Sequence, residues 1–187
     1  MNHKFSRGWV LRQCFMAMIA TTMLCHGASA QQRDREIQSL GYVFFAPGWM
    51  SVYDQNEMLL HFGGGGEGTF YKGFGVGAEV GYVVPITISG GGLGMVSVNG
   101  HYKFRNTGLS RKVIPFVTGG YSLGFTGDHS RGGANFGAGM DFWFKNVPRT
   151  LRIYGVNKAG LRTEFRGYID TVGKDTNAWQ VRVALLF

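Results

Sequence analysis

Past Ala30 the 187-residue chain has no cysteine, since its only two are Cys14 and Cys25. If the first 30 residues are removed, thiol and disulfide chemistry leave with them. An oxidising compartment permits disulfides without requiring them, so this absence does not argue against export. Nor does any apolar run of roughly 18 residues follow Ala30, which excludes a membrane-spanning helix. Lys and Arg never gather into a block that would read as a nucleic-acid patch. No Cys/His/Asp/Glu spacing fits a metal site, and no motif implies a cofactor.

What is present at the N-terminus is an export signal. Lys4, Arg7 and Arg12 form a basic region, Cys14–Leu24 an apolar one, and Ala28-Ser29-Ala30 a small-x-small cleavage site. The apolar run is too short for a permanent anchor. Leu24 and His26 flank Cys25 in a way that does not suit a lipoprotein signal. The expected mature chain starts at Gln31 and has 157 residues, which suits one domain. Losing three bases and no acid lowers the formal net charge from +8 to +5. Of 31 glycines 29 remain, about 18% of the mature chain against a usual value of roughly 7%.

That glycine sits inside runs that alternate with a period of two, so it belongs to strands. Eight are expected: Gly41–Ala46, Met58–Phe70, Phe74–Val84, Leu93–Phe104, Val113–Phe125, Asn135–Phe144, Gly160–Tyr168 and Trp179–Phe187. Tyr71-Lys72-Gly73 reads as a tight turn, and Pro47-Gly48 as the end of the first strand. In the third strand Phe74, Val76, Ala78, Val80 and Tyr82 oppose Gly75, Gly77, Glu79 and Gly81. In the last, Trp179, Val181, Val183, Leu185 and Phe187 oppose Gln180 and Arg182. The first strand has aromatics on both faces (Tyr42, Phe44 and Phe45), so its orientation stays open. A soluble sheet would fill its polar face with Lys, Ser and Thr. Glycine with sparse charge suits the interior of a narrow barrel whose apolar residues meet lipid. A chain that enters a bilayer without helices must do so as a closed barrel.

The alternating strands over residues 40–187 and the aromatic-terminated final strand resemble the OmpA/OmpX-like small outer-membrane β-barrel family. The resemblance implies an all-β, eight-stranded, antiparallel up-and-down transmembrane barrel, after a leader (1–30) and a short periplasmic lead-in (31–39). It implies an outer-membrane location after Sec export and cleavage near Ala28 and Ala30. It also implies that Trp179, Val181, Val183, Leu185 and Phe187 serve as the assembly signal read by the barrel-insertion machinery. The partners implied are periplasmic chaperones, outer-membrane lipid and lipopolysaccharide. No peptidoglycan-binding domain is expected after the last strand, unlike in full-length OmpA.

By the same alternation Glu67, Glu79, Asp141 and Glu164 share the interior with Lys103, Arg162, Arg166 and Arg182. Four acids and four bases in a small lumen should pair, since unpaired buried charge is costly. A packed polar plug is the expected outcome; a gated ion path is the alternative. Catalysis would need access that a narrow lumen denies. His61 and His101 fall on strands, and Asp128-His129-Ser130 falls in a loop where adjacent side chains diverge, so no catalytic residue is expected. Gly63-Gly64-Gly65-Gly66 lacks the Lys-Ser/Thr of a phosphate cradle and reads as strand curvature or close packing. Tyr82, Tyr102, Phe104, Tyr121, Phe125, Phe142, Trp143 and Trp179 read as an interfacial aromatic girdle. The expected function is a non-enzymatic envelope protein acting in membrane integrity or through its loops, ahead of a narrow pore or a lipid-modifying enzyme.

Overall fold

In a computed structural model, residues 38–52, 55–86, 91–105, 112–127, 129–147, 158–170 and 177–187 are described. The leader with its Ala28 and Ala30, and most of the lead-in, lie outside them. Eight strands form: β1 (Gln38–Val52), β2 (Gln55–Tyr71), β3 (Phe74–Pro85), β4 (Leu93–Lys103), β5 (Val113–Thr126), β6 (His129–Trp143), β7 (Gly160–Asp170) and β8 (Asn177–Leu186). Each pairs antiparallel with the next, and β1 pairs with β8, which closes the barrel. Closure leaves no unpaired edge, as a sheet surrounded by hydrocarbon requires.

The strand assignments need two corrections. β1 does not stop at Pro47-Gly48 but continues to Val52, and β6 begins at His129 rather than Asn135. Both run well past the strand ends expected from the sequence, and His129 and Ser130, expected in a loop, are strand. His129 lies in the ladder, opposite Thr126. Pro47 is tolerated because only one side of its strand is affected. The ladder to β2 runs through Pro47↔Leu60, whereas the ladder to β8 breaks after Phe45↔Val183 and resumes at Gly48↔Gln180. A missing N–H removes a bond toward one neighbour only. The Tyr71-Lys72-Gly73 turn is tight as expected: Lys72 and Gly73 join β2 to β3 with φ of 44° and 100°, the positive values favoured in two-residue hairpins.

The outer surface is apolar: Met58, Val80 and Val98 are 61–62% exposed, and Phe45, Val76 and Phe165 are exposed beside them. The interior holds the charges and amides. This inside-out distribution suits hydrocarbon outside and a small polar lumen within. The β1 ambiguity resolves through its register. Tyr42 and Phe44 point inward, opposite Gly65 and Gly63 of β2, while Phe45 faces out. The glycine run therefore provides room for two large lumen aromatics: a Cβ on Gly65 would lie 2.9 Å from the Tyr42 ring. At the end where the chain termini meet the barrel, Leu40, Tyr42, Phe44, Ala184 and Leu186 form an apolar cluster. Trp143 packs on that cluster from inside, so it is not part of the outer aromatic girdle.

Candidate functional site: a plugged lumen with one open end

Consecutive inward positions of β7, read from the terminus end, are Arg162, Glu164, Arg166, Tyr168 and Asp170. They set the order of everything inside the barrel. Arg162 belongs to a first ionic ring with Glu67, Lys103 and Asp141. Its guanidinium donates to Glu67 at 2.8 and 2.9 Å and to Asp141 at 2.6 and 3.0 Å. Lys103 Nζ meets Glu67 at 2.6 Å and Asp141 at 3.1 Å. Each acid thus touches both bases, and the formal charges cancel.

One level further in, Glu79, Glu164, Arg166 and Arg182 form a second neutral ring. Arg166 donates to Glu79 at 2.7 Å and to Glu164 at 2.6 Å, and Arg182 donates to Glu79 at 2.8 Å. The remaining side is looser, with Arg182 Nη1 lying 3.8 Å from Glu164 Oε2. Arg182 Nε and that Glu164 oxygen have no hydrogen-bond partner. The structure thus gathers all eight residues singled out from the alternation into two groups of four, and every one is buried.

Aromatic side chains bind the rings to each other, and these were not singled out from the sequence. The Tyr42 hydroxyl donates to Glu79 at 2.7 Å in the second ring, while the Arg162 guanidinium of the first lies 5.2 Å from the Tyr42 ring centre. Arg162 also sits 4.4 Å from the Phe116 centroid, and Arg182 3.9 Å from that of Phe44. Such stacking suits a planar, weakly hydrated cation. A cavity of about 10 Å³ lies between the rings, on the order of a single water.

Hydroxyl, amide and imidazole groups fill the rest. His101 Nε2 lies 3.0 Å from Thr69 Oγ1, and its Nδ1 is 3.9 Å from Glu67. This hydroxyl–imidazole–carboxylate sequence has the order of a nucleophilic relay. Thr69 is buried, however, and Glu67 is held by Arg162 and Lys103. Ser97, Ser122 and Asn135 form a chain of hydrogen bonds at 2.8 and 2.9 Å. His61 Nδ1 meets Gln180 at 3.2 Å, and Gln180 donates to Tyr168 at 2.7 Å. Tyr168 in turn accepts from Arg182 at 3.3 Å, linking this layer to the second ring.

Above that layer the lumen opens. At the end bearing the β1–β2, β3–β4, β5–β6 and β7–β8 hairpins lies a cavity of about 530 Å³. Its floor includes His61, Ser122, Tyr168 and Gln180; Leu59, Leu93 and Met95 contribute apolar wall, and Arg131 lies at the rim. Among the described residues no group of three or more His, Cys, Asp or Glu side chains could hold a metal ion. The expected signal positions Val181, Val183, Leu185 and Phe187 all lie exposed on the outer face of β8. Trp179, on the same face, stacks on Phe165 with centroids 5.5 Å apart.

No family model and no curated protein matches this chain. Solved structures do. Neisserial surface protein A aligns with a TM-score of 0.61 at 10% identity, over 79% of this chain and 95% of that one. The fold is that of a small outer-membrane barrel. The N-terminal barrel domain of Pseudomonas aeruginosa OprF is also similar, at TM-score 0.48 and 14% identity over 80% of this chain and 100% of that chain. Ail of Yersinia pestis gives 0.47 and 13%, over 80% and 97%.

Proposed function

We propose that this protein is a sealed, non-enzymatic barrel of the outer membrane that supports envelope integrity and makes its contacts through the hairpin end. The observation that carries this reading is the pair of neutral ionic rings that fill the lumen. An ion crossing them would have to displace paired guanidinium and carboxylate groups, and the cavity found between the rings is only about 10 Å³. Eight strands give an interior just wide enough for side chains to fill. The apolar exterior supports the membrane location, and export followed by cleavage near Ala30 supplies the route. In this arrangement the terminus end faces the periplasm and the hairpin end faces outward, toward lipopolysaccharide. Alternate residues of β8 from Trp179 to Phe187 act as the assembly signal for the insertion machinery, with periplasmic chaperones delivering the chain. The buried Thr69–His101–Glu67 trio offers no access to a substrate, which favours a role without catalysis.

Planar-bilayer recording tests this. Protein whose boiled and unboiled gel bands differ, and which is therefore folded, should give no unitary steps above the empty bilayer. Discrete steps would make the rings a selectivity or gating device and this protein a narrow pore. Release of fatty acid from lipid A by the same preparation would make it an enzyme.

A further inference from the structure

Charge is distributed unequally between the two ends of the barrel. The three links at the terminus end, residues 72–73, 104–112 and 144–159, contain eight Lys and Arg and no Asp or Glu. Around the hairpins the balance reverses: Asp54, Glu57, Asp128, Asp170 and Asp175 outnumber Arg131 and Lys174. Five of the bases at the terminus end lie among the described residues: Lys72, Arg105, Lys112, Lys145 and Lys158. All five are exposed, and they are spread over all three links.

Their depth is fixed by what precedes them. Three of the bases directly follow an aromatic on the outer surface: Tyr71-Lys72, Phe104-Arg105 and Phe144-Lys145. Aromatic rings at strand ends sit at headgroup level, so the next residue reaches the phosphates. The strand ends are held in place. Lys103 N donates to Gly73 O at 2.8 Å, Phe104 N to Pro115 O at 2.9 Å, and Phe144 N to Ala159 O at 3.0 Å. The bases are therefore carried on the rigid margin of the sheet.

We propose that this collar is a binding surface for anionic glycerophospholipids, whose phosphates it gathers in the leaflet at the terminus end. The proposal rests on the orientation given above, in which that end faces the periplasmic leaflet. Each base near an anionic surface contributes up to about a fivefold preference, and the effect is screened within a Debye length. A collar of this kind would also hold the barrel upright and resist outward slippage.

The test uses protein expressed in full, recovered folded from the membrane and placed in nanodiscs of mixed phosphatidylcholine and phosphatidylglycerol. Native mass spectrometry then reads which lipids stay bound. Phosphatidylglycerol should be enriched, and the enrichment should fall with added salt. Lys145→Gln alone should lower it by up to about fivefold. The combined K72Q, R105Q, K112Q, K145Q and K158Q variant should lower it well beyond K145Q alone, while R131Q with K174Q at the other end should leave it unchanged. Enrichment unchanged in the five-site variant, or lost equally in the hairpin-end variant, would overturn the proposal. Preferential retention of lipid A over phosphatidylglycerol would overturn the choice of lipid. The orientation is checked apart from this: Lys72→Cys on intact cells should resist a membrane-impermeant thiol reagent. Labelling there, with phosphatidylglycerol enrichment intact, would reverse the barrel and leave the collar standing.

Discussion

Glu79 accepts from three lumen side chains, Tyr42, Arg166 and Arg182. Replacing it with alanine leaves Arg182 without a close carboxylate and Arg166 with Glu164 alone, and removing one partner of a buried pair costs about 3–5 kcal/mol. Glu79→Ala should therefore lower the temperature at which the compact gel band converts to the unfolded one, and lower the urea midpoint by a matching amount. Arg182→Ala should cost less. One of its carboxylate contacts is already long, and its Nε has no partner to lose. Equal stability of both variants and the parent would show that the rings do not hold the barrel. At this scale the sequence was informative about charge and silent about aromatics. Alternation alone places Arg162, Glu164 and Arg166 on one face, because a period of two leaves no choice. Tyr42 and Phe44 could not be oriented in that way, since Phe45 beside them is equally large and apolar. Their role depends on the register between β1 and β2, which alternation does not encode.

Among the strands, the glycine pattern of β2 is the feature that decides packing. Its inward glycines oppose large residues of β1, whereas its outward ones are less crowded, from Gly64 with Tyr42 O at 3.1 Å from an added Cβ to Gly68 with nothing within 4 Å. A Cβ on Gly65 would meet Ala78 O at 2.6 Å and the Tyr42 ring at 2.9 Å, while one on Gly68 would meet nothing within 4 Å. Gly65→Ala should thus cost about 1–3 kcal/mol, the usual range for overpacking, and Gly68→Ala should be close to neutral. Urea unfolding in the same detergent compares them directly, and similar losses at both sites would mean that glycine acts here through strand propensity and not through space. The strand count was legible from turn residues and alternation, and so was the Lys72-Gly73 hairpin. The length of β1 was not. Pro47 reads as a terminator, and only knowing which neighbour its N–H would have faced shows that the strand can pass through it.

On the scale of the whole barrel, closure depends on a seam between the first and last strands. Gly41 and Phe187 exchange both backbone hydrogen bonds at 2.9 Å. The Phe187 ring also lies against Gly41, where an added Cβ would come within 2.7 Å of it. The terminal aromatic therefore closes the seam, and its exposed ring is separately what the proposed assembly signal would present. Phe187→Ala keeps the backbone bonds and removes the ring. In protein refolded in detergent it should cost only about 1–3 kcal/mol, the value of one partly exposed aromatic. In cells, if β8 is the assembly signal, the yield of heat-modifiable barrel should fall far more than that loss explains. Gly41→Ala provides the control, because it crowds the same seam and leaves the β8 pattern intact. A parallel drop in yield and in refolded stability for both variants would assign Phe187 to closure alone. A drop in yield confined to Phe187→Ala would separate recognition of the strand from the stability of the barrel it completes.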